Sequence, residues 1–119
     1  MHPIIDFLTK QAHAVRQLEA NADQALHQKH NQEAYRDQLL EKAELLSKLP
    51  ENAQDLLQDL DPELAGEVRT ELQGFAQRAE KALELNSVFF MRQLLYPDDY
   101  QDGGFNRLET FVRDLEARL

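Results

Sequence analysis

The chain has 119 residues, a formal net charge of −9 and 42% hydrophobic residues. That length suits one domain able to bury about two-thirds of its unfolded surface, and the periodic recurrence of apolar residues excludes a disordered chain. The negative charge is divided almost evenly between the two halves, which argues against a nucleic-acid backbone or an anionic membrane as partner, since both require a basic face, and the lack of cysteine excludes disulfides, thiolate chemistry and Cys-ligated zinc.

The opening MHPIIDFLTK has no basic n-region and meets Asp6 before an apolar run can form, so no signal peptide is expected and a cytoplasmic location follows. A first helix is predicted from Pro3 to about Leu46. Ile4, Leu8, Val15, Leu18, Ala22 and Ala25 form its heptad seam, widened by Ile5, Ala12 and Leu26, and the same phase returns at Leu39, Ala43 and Leu46 beside Leu40. The intervening seam positions, Lys29, Gln32 and Arg36, are polar. Either the helix projects beyond the core there or the chain breaks around HQKHNQ and restarts near Glu33, and the retained phase favours one continuous helix.

Two constellations on this helix invite chemistry. Asp23, His27 and His30 share one face at metal-ligand spacing, but the seam puts that face toward solvent. Glu41 and Glu44 form ExxE, which resembles half of the magnesium-binding motif of the all-α nucleotide pyrophosphohydrolases. That resemblance implies a metal-dependent nucleotide hydrolase whose acids face inward around Mg²⁺. The seam turns both outward, and no later helix supplies the family's ExxD partner.

Pro50 is expected to end the helix, and Pro50 to about Leu60, with Leu56, Leu57 and Leu60, forms a corner. Between Lys48 and Arg69 lie six acids and no base: Glu51, Asp55, Asp59, Asp61, Glu63 and Glu67. They suit a solvated corner rich in helix-start acids, with a contact patch for a basic partner as the alternative.

The chain is organised around Asp61 to Tyr96, a predicted second long helix. Asp61 suits the N-cap, Pro62 the first turn and Glu63 the positive end of the dipole, and no further proline occurs until Pro97. Its seam runs Val68, Leu72, Phe75, Ala79, Ala82. It then turns apolar nearly all round, through Leu83, Leu85, Val88, Phe89, Phe90, Met91, Leu94, Leu95 and Tyr96. Asn86 falls on the seam, where a buried amide fixes register or pairs with a polar neighbour, with binding to the backbone of an inserted peptide as the alternative. The uncharged LNSVFFM is far too short to cross a bilayer. After the loop PDDYQDGG, a helix from Phe105 to Leu119 gathers Phe105, Leu108, Phe111, Val112, Leu115 and Leu119 on one face, and is expected to cover part of the apolar end.

The segment DDYQDGGFNRLE resembles an EF-hand calcium loop. Asp98 stands first, Asp102 fifth, Gly103 at the turn, Phe105 eighth, Asn106 ninth and Glu109 twelfth. The resemblance implies calcium held by Asp98, Asp102, Asn106 and Glu109. Tyr100 stands where the third ligand oxygen belongs, Pro97 directly precedes the loop and no second EF-hand exists to pair with. An acidic connection with two turn glycines is therefore preferred.

The expected fold is an all-α antiparallel helical bundle of two long helices, a short corner helix and a C-terminal helix, in one domain spanning 1–119. Its seam (Leu8, Val15, Leu18, Leu39, Leu46) extends further than a short C-terminal helix covers, so a homodimer is expected. The expected function is a non-enzymatic interaction module without a cofactor. It holds a partner's amphipathic helix at Phe89, Phe90, Met91, Leu94 and Tyr96, where aromatic and methionine side chains give large, adaptable contact. Small size, acidity and long amphipathic helices are similar in style to bacterial secretion and flagellar-export chaperones. Calcium binding and metal-dependent nucleotide hydrolysis are the alternatives.

Overall fold

Local capping chemistry decides where each helix begins. The computed structural model describes every residue except Met1. Pro3, with its preset φ, opens α1 (Pro3–His27). The Asn31 side chain accepts the Ala34 N–H at 3.0 Å and starts α2 (Gln32–Ser47). Pro50 sits in the first turn of the short α3 (Leu49–Ala53), which runs into a 3₁₀ turn at Gln54–Asp59. Asp61 accepts the Glu63 and Leu64 N–H groups at 3.2 and 3.3 Å and starts α4 (Pro62–Glu84). Ser87 accepts the Phe90 N–H at 3.2 Å and starts α5 (Val88–Gln93). A reciprocal capping box between Asn106 and Glu109 starts α6 (Arg107–Arg118). Among the described residues there is no strand, and no helix is long and apolar enough to cross a membrane.

The architecture is the expected all-α helical bundle. α1 and α2 pack antiparallel, as shown by Glu19 meeting Lys42 while Asn21 meets Gln38, so one index falls as the other rises. α2 then packs along α4, and α3 and the 3₁₀ turn close the end where the chain crosses between them. One continuous core joins Ile4, Leu8 and Val15 of α1, Leu39 and Leu46 of α2, Val68, Leu72 and Phe75 of α4, Met91 of α5 and Leu108 and Leu115 of α6.

Both long helices expected from the sequence are interrupted. The first does not run on to Leu46. His30 adopts φ 51° and the Asn31 N–H turns back to the Ala25 carbonyl at 2.8 Å, so the retained phase reflects two antiparallel helices sharing one core. The second does not reach Tyr96. Asn86 takes φ 51°, the Asn86 N–H bonds the Leu83 carbonyl at 3.0 Å, and the Ser87 N–H bonds the Ala82 carbonyl at 3.2 Å. That pattern is a Schellman stop, with asparagine supplying the left-handed residue. Asn86 is therefore an exposed helix terminator that accepts a hydrogen bond from Arg36, and not a buried amide.

The ground for expecting a homodimer changes with these breaks. Folding α2 back onto α1 buries Leu8, Val15, Leu39 and Leu46 within one chain. The seam that motivated a homodimer is thus covered from inside. α6 lies against α1 and reaches α4 through the Phe75–Phe111 edge contact (6.3 Å between centroids) and an Arg118–Glu67 ion pair at 2.6 Å. It leaves Phe89 and Phe90 on the outer face of α5 exposed, the apolar end having been expected to be covered only in part.

Candidate functional site

α5 is a short helix set between two left-handed, non-glycine residues, Asn86 (φ 51°) and Leu95 (φ 78°). Its inner side, Val88 and Met91, packs into the core, with Met91 0% exposed. Its outer side presents Phe89 (67% exposed) and Phe90 (49%), whose rings meet edge-on at 5.7 Å. Leu85, at the end of α4, is half exposed beside them. Between α4, α5 and the start of α6 runs an open groove of about 470 Å³. Ala82, Leu85, Phe90, Leu94 and Leu95 form its apolar surface, Tyr96 one wall, and Arg78, Lys81 and Arg107 its rim.

A buried ionic cluster fixes α5 from beneath. Lys42 has no exposed surface; its Nζ lies 2.8 Å from a Glu19 carboxylate oxygen and donates at 3.0 Å to the Arg92 carbonyl near the end of α5. The Tyr96 hydroxyl donates to the other Glu19 oxygen at 2.5 Å, and Arg92 reaches Glu19 at 3.7 Å and Asp23 at 3.4 Å. Arg16 grips Glu109 through two nitrogens, at 3.0 and 2.7 Å. It also donates to the Tyr96 hydroxyl at 3.1 Å and the Gly104 carbonyl at 3.0 Å.

The cluster's electrostatics follow from that placement. Burial pushes the Lys42 ammonium down to about 8, against the opposing pull of Glu19. Burial and the bond to Glu19 push the Tyr96 hydroxyl well above the ordinary tyrosine range. The hydrogen bond to Glu109 raises Arg16 further. Burial alone would raise Glu109, but the bonds from Arg16 and the Asn106 backbone hold it below the usual carboxylate value. For Arg92, burial opposes the charge, but Asp23 and Glu19 outweigh it and raise the group. These groups tie α1, α2 and α6 to the end of α5 and the loop after it, on the side of the helix away from Phe89 and Phe90.

The residues expected to form a partner site divide between surface and core. Phe89 and Phe90 are exposed, Leu94 lies almost buried in the groove, and Tyr96 is half-buried with its hydroxyl in the ionic cluster. Met91 is corrected from a contact residue to a core residue, because the helix break at Asn86 rotates it inward. The residues of the EF-hand-like segment are likewise dispersed among roles. Asp98 and Asp102 are exposed, Asn106 is the buried N-cap of α6, and the Glu109 carboxylate faces the Arg16 guanidinium where a calcium loop would need it turned toward the ion. Asp23 pairs with Arg92, away from His27 and His30, and Glu41 and Glu44 are exposed. Among the described residues, no group of three or more His, Asp or Glu side chains is placed to hold a metal ion.

Comparison with known protein families, with characterised proteins and with solved structures finds no match. The geometry therefore carries the functional argument alone.

Sequence reasoning missed Leu85, Arg78, Lys81 and Arg107 as parts of the groove, and Glu19 with Lys42 as its support. For the last pair a signal existed. Glu19 stands between Val15 and Ala22 at helical spacing, and Lys42 between Leu39 and Leu46, so each charge lies on the apolar face of its own helix. Opposite charges so placed on neighbouring helices pair, or they do not stay buried.

Proposed function

We propose that this protein is a non-enzymatic interaction module that receives a partner's amphipathic helix in the groove between α4, α5 and α6. One observation carries the proposal. Of the five large apolar side chains left exposed among the described residues, Leu85, Phe89 and Phe90 stand together at the break between α4 and α5, the other two being Phe105 and Leu119. Clustered exposed apolar surface marks interaction sites, and aromatic anchors concentrate binding energy. The floor suits the apolar stripe of a helix, and the ionic cluster beneath α5 keeps that floor in shape without the partner. With Leu8, Val15, Leu39 and Leu46 inside one chain, the same groove is also the surface left for a second copy.

A photocrosslinking residue at Gln93, which is exposed and lines the groove, tests the proposal in the source cell. It should yield discrete adducts with a protein, and these should disappear when Phe90→Ala is added. The Phe90→Ala protein should keep its stability within about 1 kcal/mol, as a surface truncation does. Adducts that survive Phe90→Ala, or a loss of roughly 3–5 kcal/mol typical of a buried phenylalanine, would refute it.

A further inference from the structure

The charge around the groove is opposite to that of the protein as a whole. The chain carries −9, yet the ten residues lining the groove include Arg78, Lys81 and Arg107 and no carboxylate. Arg78 and Lys81 lie one helical turn apart along α4, on one wall. Arg107, the first residue of α6, lines the same groove from another helix, its backbone N–H bonded at 2.8 Å to the carbonyl of Leu95 in the groove floor. The ion pairs among the described residues use Lys10, Arg16, Lys42, Arg92, Arg113 and Arg118. None engages the three rim cations. Arg78 instead lies over the Phe75 ring at 5.5 Å. Three unpaired cations collected around an apolar floor, in a molecule with acids to spare, are placed for an anionic counterpart.

Resting on the groove being a protein-docking site, we infer that its partner is an acidic amphipathic helix: an apolar stripe seated on Leu85, Phe90 and Leu94, with Asp or Glu on both flanks facing Arg78, Lys81 and Arg107. Overall charge points the other way. An acidic protein attracts basic partners in general, and the acid-rich corner from Glu51 to Glu67 would do so, but the local potential at a docking surface governs what docks there. A helix with basic flanks meets three like charges at the rim. A helix with acidic flanks pairs with them and is steered in. A bare apolar groove would not discriminate between the two.

The probes are two fluorescein-labelled synthetic peptides sharing one leucine stripe, one flanked by glutamates and the other by lysines, followed by fluorescence anisotropy on the full chain. The glutamate peptide should bind about tenfold more tightly, from three exposed pairs of modest strength each. High salt should shrink the difference, because it screens exposed charges. The triple variant Arg78→Glu, Lys81→Glu, Arg107→Glu should reverse the preference, and the triple glutamine variant should abolish it. All three positions are exposed, and circular dichroism checks that the variants fold. Equal binding of both peptides, lost together in Phe90→Ala, would overturn the acidic partner and leave the docking groove standing. Binding of neither, binding of the glutamate peptide that ignores Phe90→Ala, or occupancy of the groove by a second copy in sedimentation experiments would overturn it as well.

Discussion

Replacing Glu19 by leucine should be among the most damaging single changes in this protein, and more damaging than replacing its partner. Glu19 is the one acid facing Lys42 inside the bundle, and Arg92 and Arg16 add like charge around that ammonium. Without Glu19, Lys42 retains the Arg92 carbonyl at 3.0 Å and the face of the Tyr96 ring at 5.2 Å, neither of which carries a negative charge. A buried charge stripped of its partner costs about 3–5 kcal/mol, a large share of the roughly 5–15 kcal/mol that holds such a domain together. Lys42→Met leaves Glu19 better supplied, with the Tyr96 hydroxyl at 2.5 Å and Arg92 at 3.7 Å, so its loss should be that of one charged hydrogen bond, about 1.5–3 kcal/mol. The double variant should recover most of the Glu19→Leu loss, because two apolar side chains of similar volume replace the pair. Recovery stays incomplete, since the Tyr96 hydroxyl loses its acceptor. Urea titrations of the four proteins, fitted with a common m-value, measure all three differences. A Glu19→Leu loss below about 1 kcal/mol, or a double variant less stable than the sum of its parts, would refute a buried, mutually dependent pair.

The same lysine gives the protein an alkaline signature. Its folded value of about 8 lies below the unfolded value of about 10.4, so between them the unfolded chain binds more protons and stability rises with pH. Above about pH 10 the raised Tyr96 acts in the opposite sense, because the folded state then holds the extra proton. Denaturant midpoints should therefore climb between pH 8 and 10 in the native protein and stay flat in Lys42→Met; a flat native profile would contradict the burial of the charge. At the end of α4, Asn86→Ala should cost about 1 kcal/mol by forcing a poorly suited residue into the left-handed well, while Asn86→Gly should cost less. Equal losses, measured by thermal melts, would mean that the turn's conformation is not what matters there.

The fold class was legible because the apolar residues carry it directly. The core faces of α1, α2 and α4 are those read from the seams, down to Val15, Leu39 and Phe75, while α6 keeps Leu108 and Leu115 inside, and Phe105 and Leu119, expected on the same face, are exposed. What escaped was where helices stop. Asn86–Ser87 and His30–Asn31 each combine a residue that tolerates left-handed backbone with a following N-cap, yet both sit in sequences whose helical phase continues across the break. Periodicity cannot distinguish one long helix from two folded against a shared core, since both repeat on the same face. The apolar excess around Phe89 and Phe90 was visible in the sequence. The groove itself was not, because Arg78 and Arg107 come together only through the Leu95 turn and the docking of α6.

α5 begins on its own cap at Ser87, ends at a left-handed turn and is anchored through its backbone by Lys42. None of those attachments uses the side chains at 89 and 90. Those two positions are therefore free to vary without the fold registering the change, much as a key blank takes any cut along one edge while its shank stays the same. A designer seeking a new binding preference on this scaffold has two adjacent outward-facing sites to rewrite and no core position to repair.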